Sequence, residues 1–230
     1  MMKTFVAAFC FLGLTAICRS QSLDKENERP VERANGISAY AGMGVALADA
    51  PALVSFLNTL ADPSQQVQDF GTVVEFFGGI DGPIAHEWSG GAEYNYLFKS
   101  YTLPTGGTGT YTTFYDVKMP TLTVHYVKSG VGYFLKFGGG IGYHTGTVEQ
   151  KSDFYNTDTS YTTHGVGIKV DGIGQTAFDE HLYGYVAAEM RWEVFGDLKD
   201  SRGDLLQNHG QTATLSMFVV GLAFGLTYYF

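Results

Sequence analysis

The chain has 230 residues, enough for one large domain or two small ones, and its 30 glycines, 15 tyrosines and 17 phenylalanines sit beside only 14 lysines and arginines. That mixture is poor in helix formers and rich in strand formers, so an all-β fold is expected. A formal net charge of −9 argues against nucleic-acid binding, and the lack of any run of 18 apolar residues after the first segment excludes a helical membrane protein.

Residues 1–20 read as an export signal: Lys3 supplies the positive start, 5–17 an apolar stretch too short to span comfortably, and Cys18-Arg19-Ser20 a small-residue end, with cleavage after Ser20. Lipidation at Cys18 is the alternative, disfavoured by Ile17 before it and Arg19 after it. Cys10 and Cys18 are the only cysteines, so the exported remainder is not a disulfide scaffold. Residues 21–35 are expected as a periplasmic segment and 36–230 as the folded domain. If that domain spans a membrane it does so as a closed barrel, because lipid satisfies no open sheet edge.

Strands are expected at 37–47, 70–80, 88–98, 115–127, 132–146, 161–178, 182–194 and 214–230, an even number allowed for a single-chain barrel. Between the first two, 48–69 holds a short helix. Asp49 is placed to cap it, Pro51 suits its first turn, Leu53, Val54, Phe56, Leu57 and Leu60 form one apolar stripe, and Asp62-Pro63 ends it. The stripe suits a lid packed on the barrel mouth or wall, and the alternative is an outer-leaflet or partner-binding helix. The polar face has no lysine or arginine to attract lipid phosphates.

In 88–98 the alternation puts Trp88, Tyr94, Tyr96 and Phe98 on one face and Ser89, Glu93, Asn95 and Leu97 on the other. Pro120 lies inside a proposed strand, where it removes a ladder hydrogen bond and suggests a bulge, or a strand that starts its membrane crossing near Met119. The stretch "GYFLKFGGGIGYHTG", 132–146, separates Tyr133, Leu135, Phe137, Ile141 and Tyr143 from Lys136, His144 and the even-numbered glycines. It is no phosphate loop: no Lys-Ser/Thr pair follows the last glycine, and a dinucleotide fingerprint from Gly138 needs glycine where Tyr143 stands. From 182 to 194 the outward set includes Val186, Met190 and Trp192, and the inward set Tyr183, Tyr185, Glu189, Arg191 and Glu193.

Asp81-Gly82-Pro83, Lys128-Ser129-Gly130 and Asp179-Glu180-His181 read as tight turns, and 48–69, 100–113, 148–160 and 195–213 as long connections. Short and long alternate as they do between the periplasmic and extracellular ends of outer-membrane barrels, which places both termini in the periplasm.

The inner face then collects Glu75, Glu93, Lys136, Lys169, Glu189, Arg191 and Glu193. An eight-stranded barrel is just wide enough for side chains to fill, so this set is read as an ion-pair plug ahead of a narrow polar conduit. A hydrolase reading uses His144 and His164 with Ser152, Asp153, Asp158 and Ser160, but the two histidines point to opposite faces, so catalytic pairing is not expected. Asp197, Asp200 and Asp204 lack the tight alternation of a calcium loop, and Arg202-Gly203-Asp204 is too short a motif to carry adhesion. They are read as solvated loop charges. No cofactor or metal is called for.

The last strand, "TLSMFVVGLAFGLTYYF", puts Phe218, Val220, Leu222, Phe224, Leu226, Tyr228 and Phe230 on one face. It resembles the C-terminal assembly signal of bacterial outer-membrane proteins, with Tyr228 and Phe230 in the two aromatic positions. That resemblance implies engagement by the barrel assembly machinery. By its strand layout the chain looks like the small eight-stranded barrels of the OmpA, OmpX and Opa type, and "FGTVVEFFGGIDGPI" and "YGYVAAEMRWEVFGDLKD" resemble a group of uncharacterised outer-membrane barrels. The resemblance implies an up-and-down antiparallel transmembrane β-barrel, monomeric, in outer-membrane lipid. It transfers no activity, so a structural or surface-binding role leads. A small transport barrel for ions or lipophilic solutes, using the lumen or a lateral opening near Pro120, follows, and a lipid-acting hydrolase is last.

Overall fold

The computed structural model describes residues 36–61, 66–67, 70–105, 109–152, 157–208 and 210–230. In chain order the elements are β1 (Ser38–Asp49), α1 (Pro51–Leu60), β2 (Phe70–Ala85), β3 (Trp88–Thr105), β4 (Gly109–Gly130), β5 (Tyr133–Ser152), β6 (Thr157–Ala177), β7 (Leu182–Phe195), the two-residue strands β8 (Gln207–Asn208) and β9 (Gln211–Thr212), and β10 (Met217–Tyr229). The expected signal peptide and 21–35 segment lie outside the described residues.

Eight strands close into a ring, each pairing antiparallel with its neighbour in sequence, and β10 closes on β1. Following the register once around leads from Ser38 through Asp81, Gly91, Thr123, Gly140, Lys169, Arg191 and Val219 to Ala48, ten residues further along β1. A stagger of that size forces the strands to tilt, typically by ~35–45° to the barrel axis. Side chains that share a row on neighbouring strands therefore sit at rising heights.

The period-two pattern predicted from sequence is the one observed. Leu122, Val124, Phe137, Ile141, Ile168, Met190, Leu222 and Phe224 are exposed around the outside, and Glu75, Glu93, Lys136, Lys169, Glu189, Arg191 and Glu193 are buried inside. Aromatic pairs border the apolar belt: Trp88–Tyr126 and Tyr228–Phe230 at the end carrying the termini, Trp192–Phe218 at the far end. An apolar exterior on a closed sheet with no free edge is the solution that lipid demands.

Several expectations are corrected. The connections 100–113 and 148–160 are mostly strand: β3–β4 and β5–β6 continue past the belt as paired hairpins, with Thr102 opposite Thr112 and Val148 opposite Tyr161. Their threonines, tyrosines and valines favour extended pairing over loop. The turn expected at 81–83 falls later. β2 runs on to Ala85, its pairing slips between Pro83 and Ala85, and the chain reverses through His86 and Glu87, the latter at φ 60°. The turn expected at 128–130 is likewise displaced to Val131-Gly132, where Gly132 at φ 73° takes the conformation open to glycine. Residues 179–181 do turn, as expected.

Pro120 makes no bulge. Lys118 faces Thr145 before it and Thr121 faces Gly142 after it, an unbroken register, with the β4–β5 ladder interrupted only over Met119 and Pro120. Proline withholds one donor, which interrupts the ladder here without inserting a residue. Asp49 is not the helix cap but the last residue of β1. Ala50 occupies the cap position with no side-chain bond, so α1 starts on the preset φ of Pro51 and on burial of Leu53, Val54, Phe56 and Leu57. Asp62-Pro63 lies outside the described residues.

Candidate functional site

The lumen is built in three layers. At the end carrying the termini, Phe134, Tyr183 and Tyr229 pack together, and Tyr40, Phe77, Ile173 and Tyr185 lie above them. Tyr40 and Tyr185 stack at 5.8 Å. Lys136 and Asp81 form a buried ion pair beside this floor.

The middle layer is ionic. Arg191 reaches Glu75 at 2.6 Å and Glu189 at 3.0 Å; Lys169 reaches Glu93 at 2.5 Å, Asp171 at 3.0 Å and Glu189 at 3.4 Å. His125 Nε2 meets Asp171 at 2.9 Å, and Tyr40 and Asn95 donate to Glu93 at 3.1 and 2.6 Å. Each of these charges is nearly closed off from solvent, and each finds opposite charge, as buried ions must. Sheet alternation supplies the charges, while the barrel stagger brings them to one height.

Of the seven lumenal residues read from sequence, five join this network. Lys136 and Glu193 belong to separate pairs. Three partners were not anticipated: Asp81, assigned to a turn, and His125 and Asp171. The last two were legible, since Asp171 stands two residues from Lys169 and His125 shares the parity of Thr121 and Thr123.

Above the ionic layer His144 Nδ1 meets Glu193 at 2.6 Å and its Nε2 meets Thr121 Oγ1 at 3.2 Å. This hydroxyl–imidazole–carboxylate chain ties β4, β5 and β7 together. A β-carbon at Gly142 would collide with the Pro120 carbonyl oxygen and with His144 Nε2, and one at Gly138 with the Val124 carbonyl oxygen, so at both positions the backbone of β4 leaves no room for a side chain. His164 faces out, as expected, beside Thr145 at 3.1 Å and stacked on Tyr143.

The third layer is an apolar cap. Leu53, Phe56 and Leu57 of α1 pack with Leu97, Val117, Met119, Leu198, Leu215 and Val219 across the far mouth. The 195–213 connection clasps the helix from above: Asn208 donates to Thr59 at 2.9 Å and Gln211 to Ser55 at 2.6 Å. One of its acidic residues, Asp200, organises a turn. Asp200 accepts from the backbone N–H groups of Arg202 and Asp204, both at 2.9 Å, and from the Arg202 guanidinium at 3.2 Å. Partial enclosure opposes the charge on Asp200, but these bonds outweigh it and hold the carboxyl below its usual range. Arg202 is thereby folded back onto its own turn.

The closed ring, its stagger and its apolar belt define a transmembrane β-barrel of the outer-membrane type. No protein-family model matches the chain, and no curated protein matches it. Among solved structures it is similar to a major outer membrane protein of Thermus thermophilus, with 11% identity, 84% of this chain and 99% of that chain covered, and a TM-score of 0.51. The attachment invasion locus protein Ail of Yersinia pestis aligns at 10% identity over 85% of this chain and 99% of its own, TM-score 0.48. The outer membrane protease OmpT of Escherichia coli aligns at 12% identity over 90% and 99%, TM-score 0.41.

Proposed function

We propose that the protein is a monomeric, non-catalytic barrel of the bacterial outer membrane, with its termini in the periplasm and its long hairpins outside, serving structure or surface binding. The observation that carries this reading is the closed lumen, in which aromatic floor, ionic layer and helical cap follow one another along the axis. Function then lies on the exterior, where β3–β4, β5–β6 and the 195–213 connection project from a rigid scaffold. The Thr121–His144–Glu193 chain is read as a brace, because all three side chains are buried. Tyr228 and Phe230, both exposed on the last strand, are the residues assigned to recognition by the assembly machinery.

Single-channel recording of the refolded chain in a planar bilayer tests the reading. A silent bilayer with insertion confirmed by protease protection supports the plug. Discrete, reproducible conductance steps favour transport instead. For transport the relevant feature is the ladder gap at Met119–Pro120, the weakest seam between β4 and β5.

A further inference from the structure

On the lipid-facing surface the upper edge of the belt is unequal around the barrel. On β1, β2, β3 and β10 the outward residues pass from Leu47 to Asp49, Val74 to Thr72, Phe98 to Ser100 and Phe218 to Ser216. On β4, β5 and β6 they pass from Pro120 to Lys118, Tyr143 to Thr145 and Val166 to His164. Among the described residues, basic side chains enter this boundary only here. Register makes the three neighbours: Lys118 is opposite Thr145, and Thr145 opposite His164. Strands lie ~4.8 Å apart, so the two basic groups flank one hydroxyl across roughly 10 Å of wall.

The groups are aimed outward. Lys118 lies 3.5 Å from Asp116, but its side chain is 48% exposed against 8% for the carboxylate, so the ammonium is what the surroundings meet. His164 is fixed by ring stacking on Tyr143 at 5.9 Å and by Thr145 at its Nδ1. With the threonine hydroxyl donating to Nδ1, the Nε2–H is left as an outward donor. A cation in hydrocarbon is costly and a cation among phosphates is not, so the placement makes physical sense at a layer of anionic headgroups.

We propose that Lys118, Thr145 and His164 form a binding site for the phosphate of a membrane lipid headgroup, seated over the Tyr143 ring. The site needs the barrel to be embedded but does not depend on which way its termini face.

The test measures retention of bisphosphorylated lipid A and of its dephosphorylated counterpart by the full refolded chain in zwitterionic detergent, using native mass spectrometry. Phosphorylated lipid should be retained preferentially. Lys118→Gln with His164→Gln should weaken that retention severalfold, Lys118 as a cation near a charged headgroup layer contributing ~1 kcal/mol and His164 one hydrogen-bond donor. Lys118→Arg should preserve it. Both altered side chains are on the surface, and heat-modifiable migration on gels reports that the barrel is intact. Equal retention of the two lipids, or a preference unchanged in the double variant, overturns the proposal. Displacement of lipid by millimolar inorganic phosphate also overturns it, by assigning the site to the free anion. Protease accessibility of the termini reads orientation separately, so failure of the orientation leaves this result standing.

Discussion

Arg191 shows at the scale of one residue how the lumen holds its charge. Its guanidinium is buried against Glu75 and Glu189, with Met119 Sδ at 3.4 Å. Removing it strands Glu75 in a closed interior and leaves Glu189 with Lys169 alone, at 3.4 Å. Arg191→Met is expected to destabilise the barrel by about 3–5 kcal/mol, measured by urea-driven unfolding in vesicles. Adding Glu75→Gln should recover part of the loss, because one orphaned charge then disappears, and additive losses would mean the pair is uncoupled. Outside, Phe137 is half-exposed on the belt. Phe137→Arg should cost about 2–4 kcal/mol in the same assay if that side chain meets mid-bilayer lipid. A change near zero would reverse the assigned faces.

Among the elements, α1 is a short helix with no capping side chain, and tertiary burial is what holds it. Leu57 has no exposed surface. Leu57→Ala should cost about 2–5 kcal/mol within the cap, seen as faster amide exchange in α1. The barrel strands should keep their protection, since their ladders do not run through the helix. The 200–204 turn responds to pH. Asp200 has a depressed carboxyl, so its contribution is present above the ordinary aspartate range and is lost as pH falls through the lowered value. The Arg202 and Asp204 amide shifts should therefore hold steady through pH 5 and move only on stronger acidification, in NMR spectra of the micellar protein. Movement centred near neutral pH would remove Asp200 as the organiser.

For the whole molecule, what was legible in the sequence and what was not separate along one physical line. Alternation along a strand is local, with a period of two residues, so 132–146 alone assigns Lys136 inward and Phe137 outward, and eight such runs behind an export-like leader assign a barrel. Hairpin ends were less legible. Pro83 and Gly130 look like turns but lie within strands, because pairing partners extend a strand past residues that favour reversal. The partners inside the lumen were hidden. Arg191 and Glu75 are 116 residues apart, and no spacing in the chain relates them. They meet because the ring closes with a ten-residue stagger, a property of all eight pairings together. The sequence by itself determined which side chains face lipid and which face the lumen, since that follows from the geometry of a single strand. Only the tertiary structure decided which buried charges pair, why the glycines of β5 have no room for a side chain against the backbones of β4 and β6, and that α1 closes the mouth, since each depends on where the closed sheet brings neighbouring and distant strands.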